Sequence, residues 1–335
     1  WAEVSRACLV RRQPVPGLPA TVLDATADLV AASRRDTEVR LFSGQLARLP
    51  PIRTRGKPVE ALAIEPGAER LAVVASDGQV SIYSVMDPES KPSRLRRSHP
   101  VEEGAGVAGA FFLTAGRLVV AMRGDKSAVM FDAEVRGMPV AESLWPSMAT
   151  CEAGLLTLAA LGSATSSSET LFALDGAGQA RVWDVRMRCT VNMLNLGIQC
   201  TAATVDSTRW TFVAASQDSL IWGDLRAQRT VALPVLHLDP ALSTQAPLLG
   251  MGPRGSILAC WTAPRATFTR VFACASAPTQ ICAGETRAVP LAASRAVGSS
   301  HAPLVISLAR PAQPNRWNFE LCALGLRAAS RLSDA

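Results

Sequence analysis

Short apolar runs rich in Val, Leu, Ile, Ala and Phe recur along the whole chain, each ended by a tight polar turn and followed by another run. Amphipathic helical spacing is hard to find, and the period is that of strands. Residues 70–85, RLAVVASDGQVSIYSV, show the unit: a strand, a turn at Asp77-Gly78, then a strand in which Val80 and Ile82 alternate with Ser81 and Tyr83. Asp-Gly is expected to supply the positive φ angles that a tight hairpin demands. Other runs are almost continuously apolar: 61–66 (ALAIEP), 109–116 (GAFFLTAG), 155–162 (LLTLAALG) and 201–207 (TAATVDS). These four are expected to be the innermost or next-to-innermost strands of their sheets, covered on both faces.

An aromatic residue closes each such hairpin at a regular interval. Phe42, Tyr83, Phe131, Trp183, Trp222, Phe272 and Phe319 lie roughly 40 to 50 residues apart, close to the blade length of propeller repeats. One four-stranded antiparallel sheet has two faces and buries neither alone. Packing such sheets radially buries each face on a neighbour, and closing the ring removes the exposed ends. The predicted fold is therefore all-β: a seven-bladed β-propeller of four-stranded antiparallel blades, one domain over residues 1–335. Residues 6–12, RACLVRR, precede the first full blade. They are expected to give the outer strand of the last one, closing the ring by pairing the N- and C-terminal strands.

Residues 178–186, GQARVWDVR, end in Trp183-Asp184 after a small residue and an alternating run. This stretch resembles the WD40-repeat family, and the resemblance covers essentially the whole chain. Trp183-Asp184 is the only intact dipeptide of that kind, and the family's Gly-His pair is missing from every blade, Ser98-His99 being the nearest analogue. The Asp-His-Ser-Trp network of the family cannot then be built in its usual form, so stability is expected to rest mainly on apolar packing between blades. In SQDSLIWGDLR (216–226) the Trp is displaced by one, so that Gly223-Asp224 takes the dipeptide position. A slip of one residue turns Trp222 to the other face. The turns of the last two blades are replaced by APRA (263–266) and RPAQPNR (310–316), and GSATSSSE (162–169) reads as a mobile loop.

Composition narrows the compartment and the partners. The chain has 335 residues and is 48% hydrophobic, enough for a substantial core. No apolar run approaches the roughly 18 to 20 residues that span a bilayer, and the first residues lack the apolar core of a signal peptide. Eight cysteines are scattered without a C-x-x-C, most of them in strand-like runs. They read as buried free thiols in a reducing compartment, cytoplasmic or nuclear. None of the three histidines, His99, His237 and His301, has ligand spacing to a cysteine pair, so neither metal nor cofactor is expected. The formal net charge of +6 favours acidic partners, whether protein, nucleic acid or anionic lipid.

Catalytic motifs are few. GAGVAG (104–109) matches G-x-G-x-x-G, but a dinucleotide fingerprint needs a strand before it and a helix after it. Here an acidic loop precedes and a strand follows, so the stretch reads as a connector. There is no P-loop, no H-E-x-x-H and no G-x-S-x-G. Asp77, Asp175 and Asp218 sit at or near turns, where a carboxylate accepts from turn amides and holds a hairpin. No catalytic residue is assigned. An enzyme on this fold would need titratable groups converging on the central channel, and the innermost strands supply few.

Basic residues form a constellation instead. Arg34 and Arg35 fall in the turn between the middle strands of blade 1, and Arg53, Arg55 and Lys57 in its connection to blade 2. Arg123 and Lys126 flank the corresponding turn of blade 3, while Arg94, Arg96 and Arg97 lie in blade 2, nearby or facing the side. The topology of the family implies that these turns and connections share one rim. A positive arc there suits an acidic peptide or a nucleic-acid backbone; few aromatics interleave, which disfavours base stacking. The expectation is a non-catalytic scaffold or adaptor subunit of a larger complex, not itself a homo-oligomer, binding other subunits through acidic or short linear segments. The kinetochore, checkpoint and nuclear-pore adaptors of the Bub3 and Rae1 type are the analogy. Trp183-Asp184-Val185-Arg186 also resembles the box by which substrate receptors dock on cullin-4 ubiquitin ligases, with Arg186 and Arg226 as the contacts. Nucleic-acid or anionic-surface binding through the basic rim is a further alternative.

Overall fold

A computed structural model describes the chain apart from residues 1–7, 15–19, 27, 35, 55–56, 66, 86–92, 99–106, 115, 123–127, 133–141, 144–153, 163–169, 217–218, 234–246, 252–255, 263–266, 275–277, 287–288, 294–303, 314–315 and 327–335. The described residues form strands joined by turns, in seven antiparallel sheets of four. Strand β1 (Cys8–Pro14) comes first. Blade 1 then follows as β2 (Val22–Ala25), β3 (Leu29–Ser33), β4 (Glu38–Ser43) and β5 (Arg48–Arg53). Blade 2 is β6 (Val59–Ile64), β7 (Arg70–Ala75), β8 (Val80–Ser84) and β9 (Ser93–Ser98). Blade 3 is β10 (Val107–Thr114), β11 (Arg117–Met122), β12 (Ala128–Asp132) and β13 (Glu142–Ser143). Blade 4 is β14 (Leu155–Leu161), β15 (Thr170–Asp175), β16 (Gln179–Asp184) and β17 (Cys189–Asn195). Blade 5 is β18 (Ala202–Asp206), β19 (Thr211–Ala215), β20 (Leu220–Asp224) and β21 (Arg229–Leu233). Blade 6 is β22 (Leu248–Met251), β23 (Ile257–Thr262), β24 (Thr267–Cys274) and β25 (Pro278–Thr286). Blade 7 is β26 (Val289–Ala293), β27 (Leu304–Gln313) and β28 (Arg316–Leu326), completed by β1.

The innermost strands meet in succession, β2 on β6, β6 on β10, and onward to β22 on β26, and β26 returns to β2. The ring closes there. β1 runs antiparallel to β28, Cys8 opposite Leu326 and Pro14 opposite Glu320, so the first strand seals the last blade as the sequence predicts. The strands of 61–66, 109–116, 155–162 and 201–207 are all innermost.

Burial follows position in the blade. The second strands β3 and β19 are buried at every residue, whereas the outer strand β17 alternates between half-buried and exposed. Each described apolar cluster straddles two adjacent blades. Val22, Leu29, Val39 and Leu41 of blade 1 pack on Leu62, Ile64, Leu71 and Tyr83 of blade 2. Phe111, Leu113, Val119 and Met130 of blade 3 pack on Leu158, Leu171 and Trp183 of blade 4. Fully burying one such side chain contributes about 1.5–3 kcal/mol, so the blade junctions carry most of the apolar gain.

Polar stitches supplement this packing, and sequence reading does not find them. Ile64 N donates to Asp24 Oδ2 at 2.7 Å, joining blades 1 and 2. Val107 N donates to Glu60 Oε2 at 2.8 Å and Gly116 N to Glu65 Oε1 at 3.1 Å, joining blades 2 and 3. Glu65 is buried and also meets Arg70 Nε at 3.1 Å. Such charge-assisted bonds are stronger than neutral ones, and here they lock the inner strand of one blade onto the next.

Three details differ from the pattern in the sequence. In the 70–85 hairpin only Gly78 has positive φ, 75°; its N–H donates to Ala75 O at 3.0 Å and Asp77 Oδ1 accepts from Gln79 N at 3.1 Å. One left-handed residue is enough because the loop is longer than two residues. Phe319 does not occupy the closing position of its blade: it lies near the start of β28, opposite Ala309, far from the strand end at Leu326. Most of RPAQPNR is strand, since β27 runs to Gln313 and β28 begins at Arg316, with a register shift at Pro311. APRA and most of the 162–169 loop lie outside the described residues, as does the start of GAGVAG. Its end belongs to β10, a strand and not the helix that a dinucleotide site needs.

Blade 5 resolves as its displaced Trp implies. Asp184 Oδ1 accepts from Arg186 N and Met187 N, and Asp224 Oδ1 accepts from Arg226 N and Ala227 N. Asp224 is thus the equivalent of Asp184, Gly223 stands where Trp183 stands, and Trp222 turns into the junction with blade 6 beside Trp261 and Phe272. The vacated place is filled by Phe212, whose ring stacks on Phe172 at 5.1 Å. A Cβ built on Gly223 would come within 2.2 Å of Phe212 Cε1. Because that ring is fully buried, Gly223→Ala is expected to destabilise the protein by about 1–3 kcal/mol through overpacking, read as a lower midpoint in thermal unfolding.

Candidate functional site

The turns fall into two sets, one on each rim. On the first rim, turns between second and third strands bond to connections between blades: Thr54 N and Oγ1 both reach Thr37 O, Val59 N reaches Asp36 O, and Cys200 N reaches Gly176 O at 2.9 Å. On the second rim, turns after the first strands meet turns after the third: Gly44 N donates to Asp28 O, Val85 N to Glu69 O and Leu225 N to Trp210 O. Both sets are therefore pinned by backbone bonds, and rigid loops present side chains at fixed angles.

The basic residues divide accordingly. Arg34, Arg53 and Lys57 are exposed on the first rim, on the ledge where Thr54 and Val59 bond to Thr37 and Asp36. Arg34 Nε lies 3.4 Å from Asp36 Oδ2, with both groups well exposed; such a surface pair contributes little and leaves the cation accessible. Arg53 is opposite Glu38, whose carboxylate is taken by Arg40 Nε at 2.9 Å. Arg94, Arg96 and Arg97 lie along β9, the outer strand of blade 2, opposite Tyr83, Ile82 and Ser81, and so belong to the outer wall and not to the rim. Arg35, Arg55, Arg123 and Lys126 lie outside the described residues.

Arg186 and Arg226 sit on the second rim, in equivalent turns of successive blades, both exposed. The Arg186 guanidinium is 3.9 Å from Asp184 Oδ1, and Arg226 lies over the Trp210 ring at 5.3 Å from its centroid. This pairing of register was visible in the sequence only through the shifted Gly223-Asp224.

The turn carboxylates are structural where they are described. Asp175 Oδ1 accepts from Gln179 N at 2.9 Å, and its buried Oδ2 lies 4.0 Å from Arg181 Nη2; Asp218 lies outside the described residues. No group of three or more His, Cys, Asp or Glu able to hold a metal is found among the described residues. Nor is any helix there long and apolar enough to cross a membrane. Cys189, Cys200, Cys260 and Cys322 are free thiols. Burial, with the Asp175 carboxylate adding to it, pushes the Cys200 thiol up to about 11, and burial pushes Cys260 up to about 12.

The solved structures place this architecture. The β-propeller domain of Cps50 (Swd1) from Myceliophteria thermophila matches with a TM-score of 0.65 at 13% identity, over 93% of this chain and 99% of that one. U3-55K matches with 0.66 at 14% identity, over 95% and 98%, and the WD40 repeats of RRP9 with 0.68 at 14%, over 95% and 97%. No protein-family model and no curated protein matches the chain in sequence. At this identity the likeness is one of fold: the chain is a seven-bladed β-propeller with the architecture of those domains.

A thiol raised by burial stays protonated when its unfolded counterpart, near 9.0, has ionised. The stability this contributes is complete below about pH 9 and is lost as pH rises toward the folded values. Thermal midpoints are expected to fall through that alkaline window, and iodoacetamide at pH 8 is expected to label Cys200 and Cys260 much faster in unfolded than in native protein.

Proposed function

We propose that this protein is a non-catalytic adaptor: a rigid ring that holds other subunits of a complex through its rim. The observation that carries this reading is the ledge on the first rim, where the bonds from Thr54 to Thr37 O fix a turn and a connection together and leave Arg34, Arg53 and Lys57 exposed. Fixed cations of one sign favour an acidic segment and speed its encounter. Arg35, Arg55, Arg123 and Lys126 extend the same arc in sequence, and a reducing compartment, cytoplasmic or nuclear, suits the free thiols. The adaptors of the Bub3 and Rae1 type are the analogy for this role; the solved propellers share the fold, and fold alone does not assign function.

A second reading has its own observation. Arg186 and Arg226 occupy matching turns of successive blades, the arrangement that a cullin-4 substrate receptor needs. Arg186→Ala is then expected to abolish co-purification with the ligase adaptor; retained binding makes the box purely structural.

For the rim, changing Arg53, Arg55 and Lys57 together to Glu is expected to reduce recovery of partner subunits roughly tenfold, about 1.4 kcal/mol. Because these are surface charges, the thermal midpoint should stay nearly unchanged. Tagged wild-type and variant chains compared by affinity purification and quantitative mass spectrometry measure this. Unaltered recovery retires the arc, and a wild-type chain that purifies without any stoichiometric companion overturns the adaptor reading.

A further inference from the structure

The outer strand of each blade is an edge, with one side of its backbone turned away from the sheet. Exposed edges invite foreign strands, and proteins protect them with charged residues or proline. Six of the seven outer strands here do so. β5 (RLPPIR) carries two prolines and flanking arginines, β9 (SRLRRS) three arginines, β1 (CLVRRQP) Arg11, Arg12 and Pro14. β25 has Pro278 and Glu285, β21 has Arg229, and the short β13 has Glu142. The outer strand of blade 4, β17 (CTVNMLN), has neither charge nor proline.

The same strand carries the exposed apolar surface. Met187, Val191 and Met193, at 68%, 52% and 60% exposure, are the exposed large hydrophobic side chains of the described residues, and all three lie on β17 or in the turn leading into it. The strand itself is well held: Leu194 packs into the junction of blades 4 and 5, and Asn192 Nδ2 donates to Leu225 O at 3.1 Å. β17 is thus an ordered, apolar, unprotected edge.

Its surroundings define what fits. Met193 is paired with Arg181, on the face of blade 4 that also carries Trp183. The other face adjoins the blade 5 turn at Leu225, where Arg226 lies over Trp210 at 5.3 Å from the ring centroid. Arg186 and Arg188 stand exposed at the entrance to the strand. Asp184, 3.9 Å from the Arg186 guanidinium, and Asp224 are half-buried and accept from the amides of their own turns, whereas Arg186, Arg188 and Arg226 are exposed. A strand added at this edge would alternate its side chains between the face of Met193 and the face beside Arg226.

We propose that the β17 edge binds an extended segment of a partner protein in which apolar residues alternate with Asp or Glu, added as a fifth strand to blade 4. Two copies of this chain meeting at the same edge would bring like-charged walls together on molecules already positive, which disfavours self-pairing. The proposal rests on the adaptor reading and deepens it, giving it a second surface on the outer wall, apart from the Arg34, Arg53 and Lys57 ledge.

The test uses the full chain and a fluorescein-labelled decapeptide of alternating Val and Glu, followed by fluorescence anisotropy. Saturable binding is expected, with no binding of the Val-Lys counterpart and slowed hydrogen exchange across Cys189–Asn195. Met193→Asp, and separately the pair Arg186→Glu with Arg226→Glu, should each weaken binding at least roughly tenfold. Their thermal midpoints should hold, the changed side chains being exposed. Absence of saturable binding, equal binding of the Val-Lys peptide, or full affinity in Met193→Asp overturns the proposal. So does a dimer in analytical ultracentrifugation that Met193→Asp dissolves, which would make a second copy the occupant. If the Arg53, Arg55 and Lys57 reversal removes the peptide while Met193→Asp retains it, the segment belongs to the rim: the proposal falls and the adaptor reading stands.

Discussion

A four-stranded sheet is too thin to keep water from either of its faces, and every other feature of this protein answers to that. Each blade has to lean on two others, so the arrangement is stable only as a closed circle. The apolar clusters accordingly belong to junctions between blades and not to blades. The pairing of β1 with β28 is the step that turns a row of such junctions into a ring, because it links the two ends of the chain within one sheet.

Within that constraint the chain departs from the WD40 pattern in ways that compensate locally. Where the usual network inside a blade has no Gly-His pair to build on, buried or half-buried acids of the inner strands, Asp24, Glu60 and Glu65, accept from backbone amides of the next blade. In blade 5 the loss of the Trp is met by an exchange of size across one ladder pair, with Gly223 opposite Phe212. Both devices preserve contact between blades while leaving strand order and register intact. Bulges in the outer strand recur near the closing aromatic in blades 1, 2, 4 and 6, and they fall where packing is least demanding.

The division of labour between inside and outside follows. The inner and middle strands are committed to packing, so variation free to serve binding is confined to the rims and the outer wall. The first rim offers fixed cations on a hydrogen-bonded ledge; the wall of blade 4 offers an apolar backbone edge beside a second set of arginines. One is an electrostatic surface and the other combines charge with strand pairing, which are different ways of holding a polypeptide.

The sequence by itself determined the number of blades, the order of strands and the closure by the N-terminal segment, because these depend on local periodicity that can be counted along the chain; it showed the one-residue displacement at Trp222, and the structure decided which face that residue takes. It misjudged Phe319, whose place depends on how far the β27–β28 hairpin extends, and the strand course of 310–316, where proline disguises the pattern. The basic arc was legible as composition, yet only the tertiary structure separated rim residues such as Arg53 from wall residues such as Arg96, since both are simply arginines in or beside outer strands. The acids that stitch the blades and the bare edge of β17 were not legible at all. Each is defined by a neighbour distant in sequence, or by the lack of one, and such relations exist only once the ring has closed.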